Sequence, residues 1–231
     1  MTYLKEKNLL FIHIPKNAGR SIEMGLNIIS KKKLIENTAT RSTINRGFTY
    51  LQRLTSNENI KNNLWGTLDY TLCAQHLTYQ EIELLQLIDK PTLKNSFKFA
   101  VVRNPWDRAL SSFKHFLEKD KKPTKKEFEL FLSSWFDSKS NDHNIIAHKR
   151  NQIEYIRNIK GQNAMDQIIR FENLDNDFNE LINNTGIKID EKLPVLGKTQ
   201  SILYRDFYTQ EAKKISDKIF EEDIEMFKYT F

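Results

Sequence analysis

The chain has 231 residues, 29% of them charged, and a mean hydropathy of −0.60: enough for one domain with a substantial core, and too polar for a membrane span. Met1 to Asn8 lacks the apolar core of a signal peptide, which points to a cytoplasmic location, and the single cysteine, Cys73, excludes an internal disulfide. A formal charge of +6 suits a polyanionic ligand, and equally weak, unspecific attraction to nucleic acid.

Leu9 to Ile14 is a continuous apolar run, the pattern of a strand buried on both faces of a parallel sheet. It leads into Pro15-Lys16-Asn17-Ala18-Gly19-Arg20-Ser21, a small-residue turn, and then a helix over Ser21 to Ser30. Residues 31–70 lack clear periodicity, are rich in Asn, Thr and Ser, and read as a lid or an acceptor-facing insertion. Thr78-Tyr79-Gln80-Glu81 is a capping box opening a helix to about Ile88. Phe97 to Val102 is a second buried strand that delivers Arg103 to its end. A helix from Pro105 follows, with Trp106, Leu110, Phe113 and Leu117 in one packing stripe. Thr124 to Glu127 is another capping box, while Ser138 to Arg150 is polar and reads as irregular. Gln167 to Phe171 is a third strand. Helices are expected over Asp175 to Thr185, closed by Gly186, and over Thr209 to Phe220. This alternation implies an α/β domain over residues 1–231: three-layered and P-loop-like, with a mostly parallel central sheet flanked by helices. Ligands then sit beyond the carboxyl ends of the strands.

Both strand ends carry anion chemistry. Strand–loop–helix junctions present free backbone N–H groups and a positive helix end, so two in one chain suggest a ligand with phosphates at two ends. Lys16 stands in the first junction. It is not a Walker A loop, since G-x-x-x-x-G-K-[ST] is absent, and an ordinary βα turn is the plain alternative. In the second, Arg103 ends the strand and Ser111 lies on the following helix, so that fork and hydroxyl can meet one phosphate. The plain alternative is an arginine capping the sheet and a serine facing solvent. His76, just before the Thr78 cap, is the candidate general base, kept neutral by the helix dipole. His13 reads as a core histidine, and His143 and His148 as loop decoration. No histidine pair has metal-ligand spacing. Arg170 and Glu172 straddle Phe171 as a structural ion pair; Gln152 and Tyr155 are structural or line the site.

The two junctions, with Gln152-Ile153-Glu154-Tyr155-Ile156, Ile169 to Leu174 and Asp223 to Phe227, resemble the carbohydrate-type sulfotransferases of family 2 (the heparan sulfate 2-O-sulfotransferase-like group), in their small bacterial form. The resemblance implies a donor, 3′-phosphoadenosine 5′-phosphosulfate (PAPS), and no metal. It implies that Lys16, Asn17, Ala18, Gly19, Arg20 and Ser21 grip the 5′-phosphosulfate, with Lys16 at the bridging oxygen. Arg103 and Ser111 would bind the 3′-phosphate, Lys198 would be a secondary donor contact, and His76 would be the base. The acceptor would be a hydroxyl on a glycan or small molecule, chosen by residues 31–70 and 138–150, with no specific nucleic acid involved. Two other readings stay open: a nucleotide-dependent phosphoryl-transfer enzyme on a P-loop-like core, and a non-catalytic basic module binding acidic glycans.

Overall fold

The computed structural model describes residues 2–26, 68–69, 73–74, 76–118, 121–137, 143–189, 193 and 203–231. Strand β1 (Thr2–Leu4) turns through a 3-10 segment into β2 (Leu9–Ile12), and α1 (Gly19–Gly25) follows the lysine loop. β3 (Leu68–Asp69) and β4 (Cys73–Ala74) form a separate antiparallel pair. Next come α2 (Tyr79–Leu85), α3 (Lys90–Asn95), β5 (Phe97–Val102) and α4 (Pro105–Phe116). After them lie α5 (Lys125–Asp137), α6 (His143–Lys149), α7 (Gln152–Ile156), β6 (Gln167–Arg170) and α8 (Leu174–Thr185). The chain closes with α9 (Tyr204–Phe207), α10 (Gln210–Ile219) and α11 (Glu221–Phe227).

The main sheet has the order β1-β2-β5-β6, with β1 antiparallel at the edge and the other three strands parallel. Its side chains alternate between two apolar layers, as the two-residue period of a strand requires. Leu10, Ile12, Ala100 and Val102 pack with Ile82, Leu93 and Ile153 from α2, α3 and α7. Leu9, Phe11, Phe99 and Val101 pack with Ile22 of α1 and with Phe178 and Leu181 of α8. The sheet is therefore covered on both faces, which is why β2 and β5 read as unbroken apolar runs. A third cluster joins α4, α5 and α10 through Leu110, Phe113, Phe128, Leu132 and Ala212. Ile12 pairs with Ala100, so Lys16 and Arg103 leave neighbouring strands at the same end.

Several expectations hold in detail. Thr78 Oγ1 accepts from Glu81 N–H (3.1 Å) while Glu81 accepts from Thr78 N–H (2.8 Å), and the Thr124–Glu127 box forms likewise. Gly186 ends α8 at φ 64°. Others are corrected. The first helix starts at Gly19, two residues before the expected Ser21, and its expected tail beyond 26 lies outside the described residues. The polar stretch expected to be irregular contains α6; Ala147 and His148 are buried side by side, and adjacent buried positions leave no helical period to detect. Helix α3 has no periodic signature because it is one turn and a half long, although Asp89 caps it (Thr92 N–H, 2.9 Å). Arg170 and Glu172 do not pair, because β6 ends at Arg170 and Glu172 lies in the 3-10 turn that follows, where the strand's two-residue period is lost. Glu172 accepts from Asn104 N–H (2.6 Å) and the Tyr229 hydroxyl (3.0 Å), whereas Arg170 donates to the Phe227 carbonyl (2.6 Å).

Helix α7 is capped from a distance. The buried Asp223 carboxylate accepts from the backbone N–H of Gln152 (2.8 Å) and Ile153 (2.9 Å) and from Gln152 Nε2 (3.2 Å). Burial pushes this carboxyl above its ordinary value, against the pull of those donors. Asp223→Ala strands three buried donors, and should cost about 3 kcal/mol of stability in urea unfolding. A loss under about 1 kcal/mol would mean water replaces the carboxylate.

Candidate active site

The lysine loop is held open by contacts made outside it. Lys16 (φ 68°) and Ala18 (φ 59°) both occupy the left-handed region, which costs a non-glycine residue energy and persists only when neighbours impose it. The neighbours are identifiable. The Pro15 carbonyl accepts from Arg108 Nε (3.1 Å) and the Lys16 carbonyl from Arg103 Nη1 (2.8 Å). Asn17, whose backbone N–H is expected among the ligand contacts, turns its side chain inward. Its Nδ2 donates to the Val101 carbonyl and to Gln152 Oε1, both at 2.7 Å. Ala18 offers α1 no side-chain cap, so the amides of the first turn, from Gly19 to Ser21, have no partner within the helix. Arg20 is exposed and Ser21 buried in that turn. Burial, then the charges of Arg103 and Arg20, depress the Lys16 ammonium to about 8.

Arg103 stands at the mouth of the adjacent strand. Asp107, one turn on, receives its Nε (2.9 Å) and Nη2 (2.8 Å), and its guanidinium lies 4.1 Å from the Phe171 ring centroid. Five N–H donors less these three bonds leave two for a ligand. On α4 the residues Asp107, Ser111 and Lys114 follow at helical spacing and are all partly exposed, forming one open stripe. Lys114 is lowered by burial and by Arg103, against the pull of Asp107. A second arginine, Arg108 on α4, braces the loop from beneath. Arg108 is 1% exposed and donates to the Pro15 and Arg150 (2.8 Å) carbonyls, with Ala147 at 3.5 Å.

Four histidines meet beside the loop. His13 is buried (5% exposed), and its Nδ1 lies 3.0 Å from Glu23 Oε1, which also accepts from Thr2 Oγ1 (3.2 Å). Burial works to raise Glu23, but the His13 charge and hydrogen bond prevail and hold it below its ordinary value. The His13 ring is 4.7 Å from that of His76 and the His76 ring 5.8 Å from that of His148. His148 in turn stacks on His115 at 4.8 Å and 5°. His148 is thus buried (3% exposed) rather than a loop decoration, and His115 joins the cluster without any motif to announce it. His76 sits at φ 68°, and its Nδ1 is 3.0 Å from the His13 carbonyl. A carbonyl only accepts, so Nδ1 carries the proton and Nε2 keeps its lone pair. Burial, with the charges of His13 and His148, pushes His76 well below its ordinary value, so the ring is neutral at pH 7. Two residues later the Thr78 cap is fixed by Glu81, which Arg150 grips at 2.7 and 3.1 Å.

A lysine loop, an arginine with free donors and a neutral histidine thus converge at the carboxyl ends of β2 and β5. A model of the sulfotransferase family matches residues 1–230. The chain belongs to the sulfotransferase family. Comparison with curated proteins and with solved structures finds no match. Sulfuryl transfer is the chemistry of this family. Among the described residues no group of three His, Cys, Asp or Glu side chains is arranged to hold a metal, and no helix is long and apolar enough to cross a membrane. Lys198 and the His143 side chain lie outside the described residues. A groove of about 610 Å³, lined by Tyr79, Leu84, Ile88, Leu93 and Ile159, opens near Lys98 at the start of β5, the end of that strand opposite Arg103. Its mostly apolar wall offers sulfuryl transfer nothing comparable.

Gly19 is required by the histidine beneath it: a Cβ there would stand 1.8 Å from His13 Nε2. Gly19→Ala should lower stability by about 2 kcal/mol. In a His13→Ala background most of that cost should vanish, and a thermal-unfolding double-mutant cycle checks the coupling.

Proposed function

We propose that this chain transfers the sulfuryl group of PAPS to a hydroxyl of a glycan or a small hydroxylated molecule, as one cytoplasmic, P-loop-like domain. The observation that carries the reading is the meeting of Lys16, Arg20 and Arg103, close enough that mutual repulsion helps hold Lys16 to about 8. Cations held together against repulsion in a partly buried site are relieved by an anion. Two such centres, one per strand end, suit a donor with negative groups at both ends.

PAPS, when bound, supplies an activated sulfuryl group on a phosphate leaving group. The first-turn amides of α1 and the Lys16 ammonium hold its 5′ end, and the two free N–H groups of Arg103 with the Ser111 hydroxyl hold the 3′-phosphate. His76 Nε2 takes the acceptor proton as the acceptor oxygen bonds to sulfur and the bond from sulfur to the phosphate oxygen breaks. Lys16 neutralises the charge gathering on that departing oxygen. The depressed affinity of His76 for a proton keeps it available as a base at neutral pH, and a bound anion nearby strengthens it by offsetting the neighbouring positive charge that weakens it. Residues 31–70 and 138–150 would choose the acceptor, and Lys198 would add a donor contact.

Calorimetric titration with adenosine 3′,5′-bisphosphate, 5′-AMP and ATP, with and without Mg²⁺, tests this. Binding should be metal-independent and require the 3′-phosphate. Arg103→Ala should weaken it by about 10- to 100-fold, the worth of a charge-assisted pair. Affinity should also fall as pH rises through about 8, where Lys16 loses its proton, and Lys16→Arg should flatten that dependence. A preference for Mg²⁺–ATP would transfer the site to phosphoryl chemistry.

A further inference from the structure

We infer that His115 is a further catalytic residue, contacting the sulfuryl group while it passes between Lys16 and His76. The inference rests on the donor reading above. His115 follows Ser111 by four positions on α4, so it extends the open stripe by one turn. Its ring is backed by His148, which is buried, closed at its edge by Phe116 (5.0 Å) and 5.8 Å from His76. That stack fixes the imidazole plane on the side of the base.

On the other side runs the lysine loop, whose Pro15 carbonyl accepts from Arg108 (3.1 Å), two turns earlier on α4. Burial first, then the charges of Lys16 and Arg20, press the His115 proton affinity below its ordinary value. The groups facing it are therefore Lys16 from the loop, Arg20 from α1 and His148 from α6; Lys114, its neighbour on α4, answers to Asp107 and Arg103. The stack covers one face of His115 and leaves the rest exposed, unlike the buried His13 and His148, so it is open to a ligand. The attacking oxygen must lie at His76 and the leaving oxygen at Lys16. His115, one ring removed from His76 through His148 and on the helix that Arg108 ties to the lysine loop, stands beside the line between them. An anion there reverses the repulsion, and His115 becomes an imidazolium that donates one hydrogen bond to a sulfuryl oxygen. It exchanges no proton in the net reaction: the acceptor proton still goes to His76, and the electron pair of the broken bond still goes to the phosphate oxygen.

The test uses the full chain labelled with ¹³C-histidine, titrated by NMR free, with adenosine 3′,5′-bisphosphate and with PAPS. His115→Asn identifies the signal. His115 should titrate below its ordinary range in the free protein and move up by about one pH unit or more with PAPS. At pH 6.5, His115→Asn should weaken PAPS about tenfold while changing bisphosphate affinity less than about threefold, because only PAPS carries the sulfuryl group. His115→Gln should reproduce the split, and an unchanged melting temperature excludes a folding effect. An unmoved His115 signal, or equal losses for the two nucleotides, overturns the inference and leaves the donor reading standing. Failure of the unsubstituted protein to bind either nucleotide overturns both.

Discussion

One side-chain amide fixes the distance between the two halves of the site. Gln152 is fully buried, and its Oε1 accepts from Asn17 Nδ2 (2.7 Å) and from the Arg103 backbone N–H (2.8 Å). Its Nε2 donates to the Arg103 carbonyl (2.8 Å) and to Asp223 (3.2 Å). All four hydrogen-bonding positions of an amide are used, which no other side chain of this size can do. Loops leaving parallel strands spaced about 4.8 Å apart are otherwise free to splay. Here the residue after Lys16 and the backbone of Arg103 share a single group, so the separation of the lysine loop from Arg103 is set by a rigid planar amide.

A second buried network sets where the histidine stands relative to the lysine. The Arg108 guanidinium reaches the carbonyls of Pro15 and Arg150, and the Arg150 side chain grips Glu81, which caps the helix beside His76. Burial lowers the proton affinity of Arg108, yet arginine keeps its charge and satisfies it with backbone dipoles. Such burial seldom stabilises a protein relative to an apolar replacement. The use of these charges is geometric, because an arginine fork fixes direction as well as distance.

The three parallel strands and the Thr78 cap are legible in the sequence, because each is written in adjacent residues, whereas the three-residue edge strand β1 and the two-residue strands β3 and β4 are too short to show a pattern. Lys16 and Arg103 are legible because a strand end is where a cation has chemical purpose. The supports are not. Asn17 meets Gln152 across 135 positions, and Arg108 meets Pro15 across 93. From its neighbours alone the Asn17 side chain shows no partner, although it faces the sheet. His148 reads as ornamental within a polar segment, since only tertiary packing buries it against His76 and His115. His115 has one local signal, its four-residue spacing from Ser111, and that signal gains meaning only once the stripe of α4 is known to face the loop.

The same electrostatics link Lys16 and His76. Lys16 and His76 are both held below their ordinary proton affinities, in each case by burial first and by neighbouring positive charge second. Neighbouring positive charge is the part an anion cancels, while the burial that accompanies it grows when a ligand excludes water. An anion next to these groups therefore favours the protonated lysine and makes the histidine a stronger base. A site with its cations already paired to carboxylates would lack this response. Arg103 has Asp107 as a fixed partner, but Lys16 and Arg20 have no carboxylate bonded to them among the described residues, and this asymmetry leaves the lysine end responsive to a bound anion.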